Sequence, residues 1–427
     1  MIIPGTRLCV RFCNILDLHE FVYQVHRWHP RKRGLFILTD FRIIASHPVQ
    51  YHVPIFQALV ERGLNIEVGY YHEGTARTVG RDLNFGLDIQ WDIDLLGGYP
   101  NRIFLNKTAT YTLHEQLQII FPMVLWVLRE RSPVLLMGWF IESIWLIWIL
   151  VLLFRIPVMV LSETTPLSYD SVSKPKWRAR LLGWLLNYSQ AMLYIGSQNR
   201  DFLSRMGIDK NRLFSAPYSV DNLRFSSAAK SLMLERLELS SQFGLDAMIP
   251  TFLFAGKLIS KKRPLELLEA YCSAGLSDKA QLLFVGDGIL KAQLEKRVKE
   301  LRLNHVHFLG FLNQSKMPLA YVLGDVLCLI SDSTETWGLV VNEAMACGRP
   351  VIVSEMVGCA PDLVDETNGW VVPTDDPDAL AQTLRQAYEE RHNWDEKGQR
   401  SLEKISRHTY DAMAIGVLSA LNSLKTG

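Results

Sequence analysis

Short, wholly apolar runs recur along this chain, and stretches of helical period separate them. FRIIA (41–45) reads as a strand, PIFQALVERG (54–63) as an amphipathic helix closed by a glycine, and NIEVGYY (65–71) as the next strand. PVLLM (133–137), PVMVL (157–161) and AMLYI (191–195) continue the series, with helices predicted at 176–188 and 198–206. The pattern then restarts. TFLFA (251–255), QLLFV (281–285), HVHFL (305–309), VLCLI (326–330) and PVIV (350–353) are separated by helical segments at 264–274, 290–301, 317–323 and 338–347. Continuous apolar strands alternating with helices are the signature of parallel sheets covered on both faces. Two such series predict an α/β protein of two doubly wound, Rossmann-like domains. The boundary falls in the polar, serine-containing stretch 221–249, which gives domains at 38–221 and 222–404.

Composition narrows the function classes. A chain of 427 residues suits two domains, at roughly 100–200 residues each. A formal net charge of +1 excludes a strong global field for nucleic acid. The six cysteines form no C-x-x-C pair, so neither a zinc site nor a disulfide framework is expected. They read as buried thiols in a reducing cytoplasm. The strongest apolar run, IWLIWILVLLF (144–154), has about half the roughly 20 residues of a membrane span; it reads as a buried helix. The first residues are too interrupted for a signal-peptide core. Residues 1–37 fit neither domain, and HRWHPRKR (26–33) makes them basic. Two readings stay open: an extension or a start codon assigned too early, so that a chain beginning near Leu38 still folds, or an arm that touches anionic lipid.

Parallel sheets bind ligands at the carboxyl ends of their strands, so the loops there are the candidates. After 251–255 comes Gly256-Lys257-Leu258-Ile259-Ser260-Lys261-Lys262-Arg263-Pro264. Four cations at a helix N-terminus make a pyrophosphate site, or simply a solvated charged loop. Gly286-Asp287-Gly288 permits close backbone approach, and Gly310-Phe311 presents backbone groups and a ring to a base. In SDSTETWGLVVNEAMACGRPVIVSE (331–355), Thr334 or Thr336 is expected to cap a helix that starts near Trp337–Gly338 and ends at Gly348. Glu335 precedes that helix and Glu343 lies inside it. They are either a carboxylate pair for sugar hydroxyls or incidental residues of an ordinary amphipathic helix.

The string Glu335…Trp337-Gly338-Leu339…Glu343-Ala344-Met345-Ala346-Cys347-Gly348-Arg349-Pro350 resembles the donor-site signature of family 4 retaining glycosyltransferases of the GT-B fold. Gly256-Lys257-Leu258…Lys262 is similar to that family's G-(R/K)-L-x-x-x-K segment, with Lys257 where Arg is usual. Gly286-Asp287-Gly288 and Phe308-Leu309-Gly310-Phe311 match its landmarks in order. The resemblance implies that Lys257 and Lys262 bind a donor diphosphate and Gly338 and Leu339 offer it amides. Glu335 then contacts the transferred sugar and Glu343 the ribose. It also implies no metal and no cofactor beyond the nucleotide-diphosphate sugar, and a helix at about 405–427 that returns to the first domain.

Ser46-His47-Pro48-Val49-Gln50-Tyr51-His52 looks like a subgroup that builds bacterial surface polysaccharides, lipopolysaccharide among them. His47 and His52 are therefore candidates for contact with acceptor or phosphate, His47 also for catalysis beside Glu335 and Lys262; both read equally as structural histidines. Trp139, in a loop where many relatives carry histidine, reads as a sugar-stacking ring or as core. Glu163, at a strand end, is a candidate for acceptor hydroxyls. Pro217-Tyr218-Ser219-Val220-Asp221 matches the family hinge, with Ser219 in place of glycine. The expectation is a retaining glycosyltransferase in the cytoplasm or at the inner membrane face, with a saccharide or lipid-linked acceptor. The rivals are a sugar-nucleotide epimerase on the same fold and a non-catalytic carbohydrate-binding partner.

Overall fold

The computed structural model describes residues 40–426 apart from 78, 83–86, 106–111, 140 and 172–173. The readings made for residues 1–37 lie outside the described residues. Among those described, the first nine strands are β1 (Phe41–Ala45), β2 (Ile66–His72), β3 (Gly80–Asp82), β4 (Leu87–Ile89), β5 (Asn101–Leu105), β6 (Val134–Met137), β7 (Val158–Ser162), β8 (Ala191–Tyr194) and β9 (Leu213–Ser215). β10 (Thr251–Ala255), β11 (Gln281–Val285), β12 (Val306–Gly310), β13 (Val326–Leu329), β14 (Val351–Ser354) and β15 (Gly369–Val372) follow. One parallel sheet runs β5-β2-β1-β6-β7-β8-β9 and a second β12-β11-β10-β13-β14-β15, while β3 and β4 pair antiparallel. Two Rossmann-like sheets with helices between their strands constitute the GT-B arrangement expected from the sequence.

The fully buried central strands lie within a residue or so of their predicted limits. Five other strands escape the apolar pattern: β3 and β4, of three residues each, which pair with one another, and three that stand at the edges of the large sheets. β5 (NRIFL) opens on two polar residues, β9 has three residues, and β15 begins on a glycine. The stretch 221–249 is more ordered than its polarity suggests. It holds the helices Asn222–Met233 and Arg236–Gln242, the first capped by the Asp221 carboxylate. The apolar segment forms the helix Glu142–Leu153, with Ile147, Trp148 and Val151 fully buried. Among the described residues no helix is long and apolar enough to cross a membrane.

One apolar cluster runs from the first sheet (Ile43, Val68, Leu161, Leu193) to the second (Leu253, Leu283, Leu329, Val353). The two sheets are therefore joined by packed side chains as well as by linkers. The last helix, Tyr410–Thr426, packs on the helix Val53–Glu61 and on β8 and β9, so the chain crosses back to the first sheet. Gly416 permits that contact: a Cβ there would stand 1.9 Å from the Ser215 carbonyl oxygen. Where the return crosses, the Asn222 side-chain amide donates to the carbonyls of Ile405 (3.0 Å) and His408 (2.9 Å).

Candidate donor site

The loops at the carboxyl ends of β10 and β11 touch backbone to backbone. Gly286 sits at φ +135°, and a Cβ there would lie 1.8 Å from the Gly256 carbonyl oxygen. At Gly288, φ +156°, it would lie 2.5 Å from the Leu258 carbonyl oxygen. The Leu258 amide donates to the Asp287 carbonyl at 2.9 Å, which fixes this approach. Gly286→Ala is thus expected to cost more than about 2 kcal/mol, because rigid backbone must move. Urea unfolding measures this, and an unchanged midpoint would refute it.

The β10 loop continues through the tight turn Ser260–Lys262 into the helix Pro264–Ser273. The turn aims the Lys262 ammonium at Glu335, and the two form an ion pair with side chains each 12% exposed. Burial alone would raise the Glu335 pKa, but the charges of Lys262 and Lys261 outweigh it and hold the carboxyl below its usual range. The helix that follows spans Leu339–Ala346, and its N-cap is Gly338 at φ 96° without any side-chain cap. The expected threonine caps are therefore corrected. Thr334 donates to Asp332 (2.6 Å), and Thr336 turns its hydroxyl toward Glu163 (3.4 Å). A left-handed cap suits glycine, and a Cβ at Gly338 would also strike Leu329 at 2.7 Å.

Glu343 lies inside that helix with no exposed surface. Tyr321 donates to its Oε2 at 2.6 Å and Tyr51, from the first domain, to its Oε1 at 2.9 Å. Burial dominates and raises its pKa, and the two tyrosine hydroxyls offset only part of the rise. The two glutamates therefore act oppositely on stability. Glu335, lowered, contributes stability above its unfolded value that is lost as pH falls through the folded one. Glu343, raised, contributes stability below its unfolded value that is lost as pH rises through the folded one. Glu335→Gln is expected to flatten the acid limb of a stability–pH curve, and an unaltered limb would contradict the pairing.

These groups converge on one cavity of about 410 Å³ between the sheets. Gly256, Lys257, Lys262, Gly286, Phe311, Glu335, Gly338, Leu339 and Glu343 all line it. Gly288 stands behind, against Leu258. From the first domain Glu163 lines the same cavity. Burial would raise the Glu163 pKa, but the adjacent His52 imidazole and hydrogen bonds from Tyr218 and Thr336 bring it below the usual range. His52 stands behind this carboxylate, its Nε2 3.7 Å from Glu163 Oε1 and 3.2 Å from the Tyr218 hydroxyl.

Two expected contacts are corrected. His47 is not on the cavity wall; its Nδ1 meets the Ser46 hydroxyl at 2.9 Å and its ring stacks on His72, centroids 5.1 Å apart. Burial, then the neighbouring His52, hold its pKa down to about 4, so it is neutral at physiological pH and brings no charge to a phosphate. Trp139 is core: 7% exposed, it packs on Trp148 and Phe202, and the sugar-stacking reading falls away. Sequence reasoning assigned no role to Tyr51, Trp91, Tyr218 or Gln314, all on the cavity wall. Tyr51 carried a signal, since it lies in the same strand-end loop as His47 and His52. Trp91 carried none, because no periodic segment surrounds it.

Residues 235–403 match the family described as glycosyl transferases group 1. An uncharacterized glycosyltransferase of Methanocaldococcus jannaschii is 33% identical over 149 residues, covering 34% of this chain and 38% of that protein. A D-inositol 3-phosphate glycosyltransferase of Xylanimonas cellulosilytica is 26% identical over 247 residues, 56% of this chain and 58% of that one. The chain thus spans about 38–58% of the length of these curated relatives. Among solved structures, HepE of Anabaena in complex with UDP and glucose superposes with a TM-score of 0.67, over 90% of this chain and 99% of that one at 18% identity, a likeness of fold. Residues 235–403 thus carry the likeness to the group 1 glycosyl transferases, and the paired sheets share the GT-B fold of this solved relative.

Proposed function

We propose that this protein transfers a hexose from a nucleotide-diphosphate sugar, with retention of configuration, to a glycan or lipid-linked saccharide in cell-surface polysaccharide or glycolipid assembly. The observation that carries this reading is the meeting of the Lys262–Glu335 pair and Glu343 in one interdomain cavity at the mouth of the helix Leu339–Ala346. The cavity's volume falls in the range usual for small-molecule sites, about 300–1,000 Å³.

In this reading the departing diphosphate gathers negative charge as the sugar bond breaks. In the same reading Lys257, Lys262 and the amides of Gly338 and Leu339 stabilise that charge, without a metal or further cofactor. Glu335 accepts hydrogen bonds from the transferred sugar and Glu343 from the ribose. Glu163, across the cleft, meets the acceptor hydroxyl, with His52 and Tyr218 holding its orientation. The complex of HepE with UDP and glucose supports a nucleotide-sugar donor by analogy of fold. A cytoplasmic site, or one at the inner face of a membrane, is where such donors are available.

The test is a thermal-shift screen of UDP-, GDP- and ADP-sugars, followed by incubation with saccharide acceptors and assignment of the product anomer by NMR. A stabilising donor and a product of retained configuration are expected. An epimerised sugar formed without acceptor would favour the epimerase. Binding without turnover would favour the non-catalytic partner, and no binding at all would sink the proposal.

A further inference from the structure

The first domain also reaches the far end of the same cavity. Its segment 90–92 is tied to the loop after β12 on both sides of Trp91. The Asn313 side-chain amide donates to the Gln90 carbonyl (2.7 Å), while Asn313 Oδ1 accepts the Asp92 amide (3.4 Å). The Asp92 carboxylate accepts the Ser315 amide at 3.1 and 3.3 Å and the Ser315 hydroxyl as well. Trp91 is thereby held opposite Phe311, with ring centroids 6.5 Å apart and planes inclined by 57°. Both rings line the cavity.

Sheet order gives this pair of rings its place. Strands β12, β11, β10 and β13 are successive neighbours, and their loops carry Phe311, Gly286, Lys257 with Lys262, and Glu335 with Gly338 respectively. At about 4.8 Å per strand, the row spans roughly 14 Å. An aromatic end, a cationic middle and a carboxylate end follow the order of base, diphosphate and sugar in a nucleotide sugar. Aromatic faces in contact stand about 3.5–4 Å apart. A planar base between Trp91 and Phe311 therefore needs the rings, now inclined by 57° with centroids 6.5 Å apart, to turn parallel and part slightly.

We infer that Trp91 is a donor-binding residue, which clamps the nucleobase against Phe311 so that one ring from each domain grips the base. This rests on the proposed nucleotide-sugar reading and extends it. The base then bridges the domains, and donor binding and cleft closure become one event. Asp92 and Asn313 act as positioning residues, holding Trp91 over the pocket.

Calorimetry on the full chain with UDP, GDP, ADP and inorganic pyrophosphate tests this, comparing Trp91→Ala and Trp91→Phe with the wild type. The alanine variant is expected to bind the preferred nucleoside diphosphate about 10- to 100-fold more weakly, as for loss of one base-stacking ring. Pyrophosphate affinity should be unchanged, and phenylalanine should restore most of the nucleotide affinity. Equal nucleotide affinity in the alanine variant overturns the inference but leaves the proposed function standing. A parallel loss for pyrophosphate overturns it too, since it assigns Trp91 to the fold. A wild-type chain that binds no nucleoside diphosphate overturns both.

Discussion

Replacing Lys262 by alanine is expected to lower turnover at saturating donor by about 10²- to 10³-fold, the usual loss when one preorganised charge stabiliser is removed. Two effects add. The leaving diphosphate loses a cation at the moment its charge develops. Glu335, with a side chain only 12% exposed, loses the partner that keeps it ionised. Its burial then acts with less opposition, the carboxyl pKa climbs, and its hydrogen bonding to sugar hydroxyls changes character. Breaking a well-buried pair from one side costs about 3–5 kcal/mol of stability, and partial exposure places this pair toward the low end. The kinetic loss must therefore be measured below the variant's melting transition. Donor affinity should fall much less than turnover, because Lys257 and the helix amides remain. Near-normal turnover would remove Lys262 from the chemistry.

Glu343→Ala is expected to weaken nucleoside-diphosphate binding by about 10- to 100-fold, the worth of one or two hydrogen bonds to a charged acceptor. The tyrosines complicate the experiment. With the carboxylate gone, the Tyr51 and Tyr321 hydroxyls lose their acceptor inside a buried pocket, at about 1–3 kcal/mol for each group left unsatisfied. Glu343→Gln separates the two effects, since it keeps the shape and one acceptor oxygen. If the glutamine variant unfolds like the wild type yet binds nucleotide as poorly as the alanine variant, the carboxylate itself contacts the ligand. If both variants bind like the wild type, Glu343 serves only to join Tyr51 and Tyr321.

Much of the architecture was readable from the residues, for a specific reason. Central parallel strands such as β10 (TFLFA) and β11 (QLLFV) are buried on both faces, so they appear as unbroken apolar runs. Strand-end loops then follow automatically, and the second domain's candidates gather in one cavity because adjacent strands deliver adjacent loops. The edge strands β5 and β9 lack that burial and left no comparable trace, and β15 is only four residues long and opens on a glycine. The start of the helix was read to within a residue, but its cap at Gly338 was misread, because threonine caps are a matter of side-chain type. A left-handed glycine cap depends instead on what crowds it, here Leu329 and Val357. In the first domain a strand-end position indicated nearness to the cleft but no direction. Trp139 turned into the core and His47 toward His72, while Glu163 faced the opening. Tyr51, Trp91 and Tyr218 gain their meaning only from the opposing domain, which no local pattern encodes.

The paired crossings described for the fold have a mechanical consequence. The outward passage ends at Asn222 and the return leaves Ile405–His408, and the Asn222 amide staples the two together. Two chain crossings fastened side by side behave like the spine of a book. They permit the halves to swing about a single line and resist twisting or sliding. A protease cut in either crossing would leave the halves still attached through the other, so a nicked chain should keep its two leaves in register.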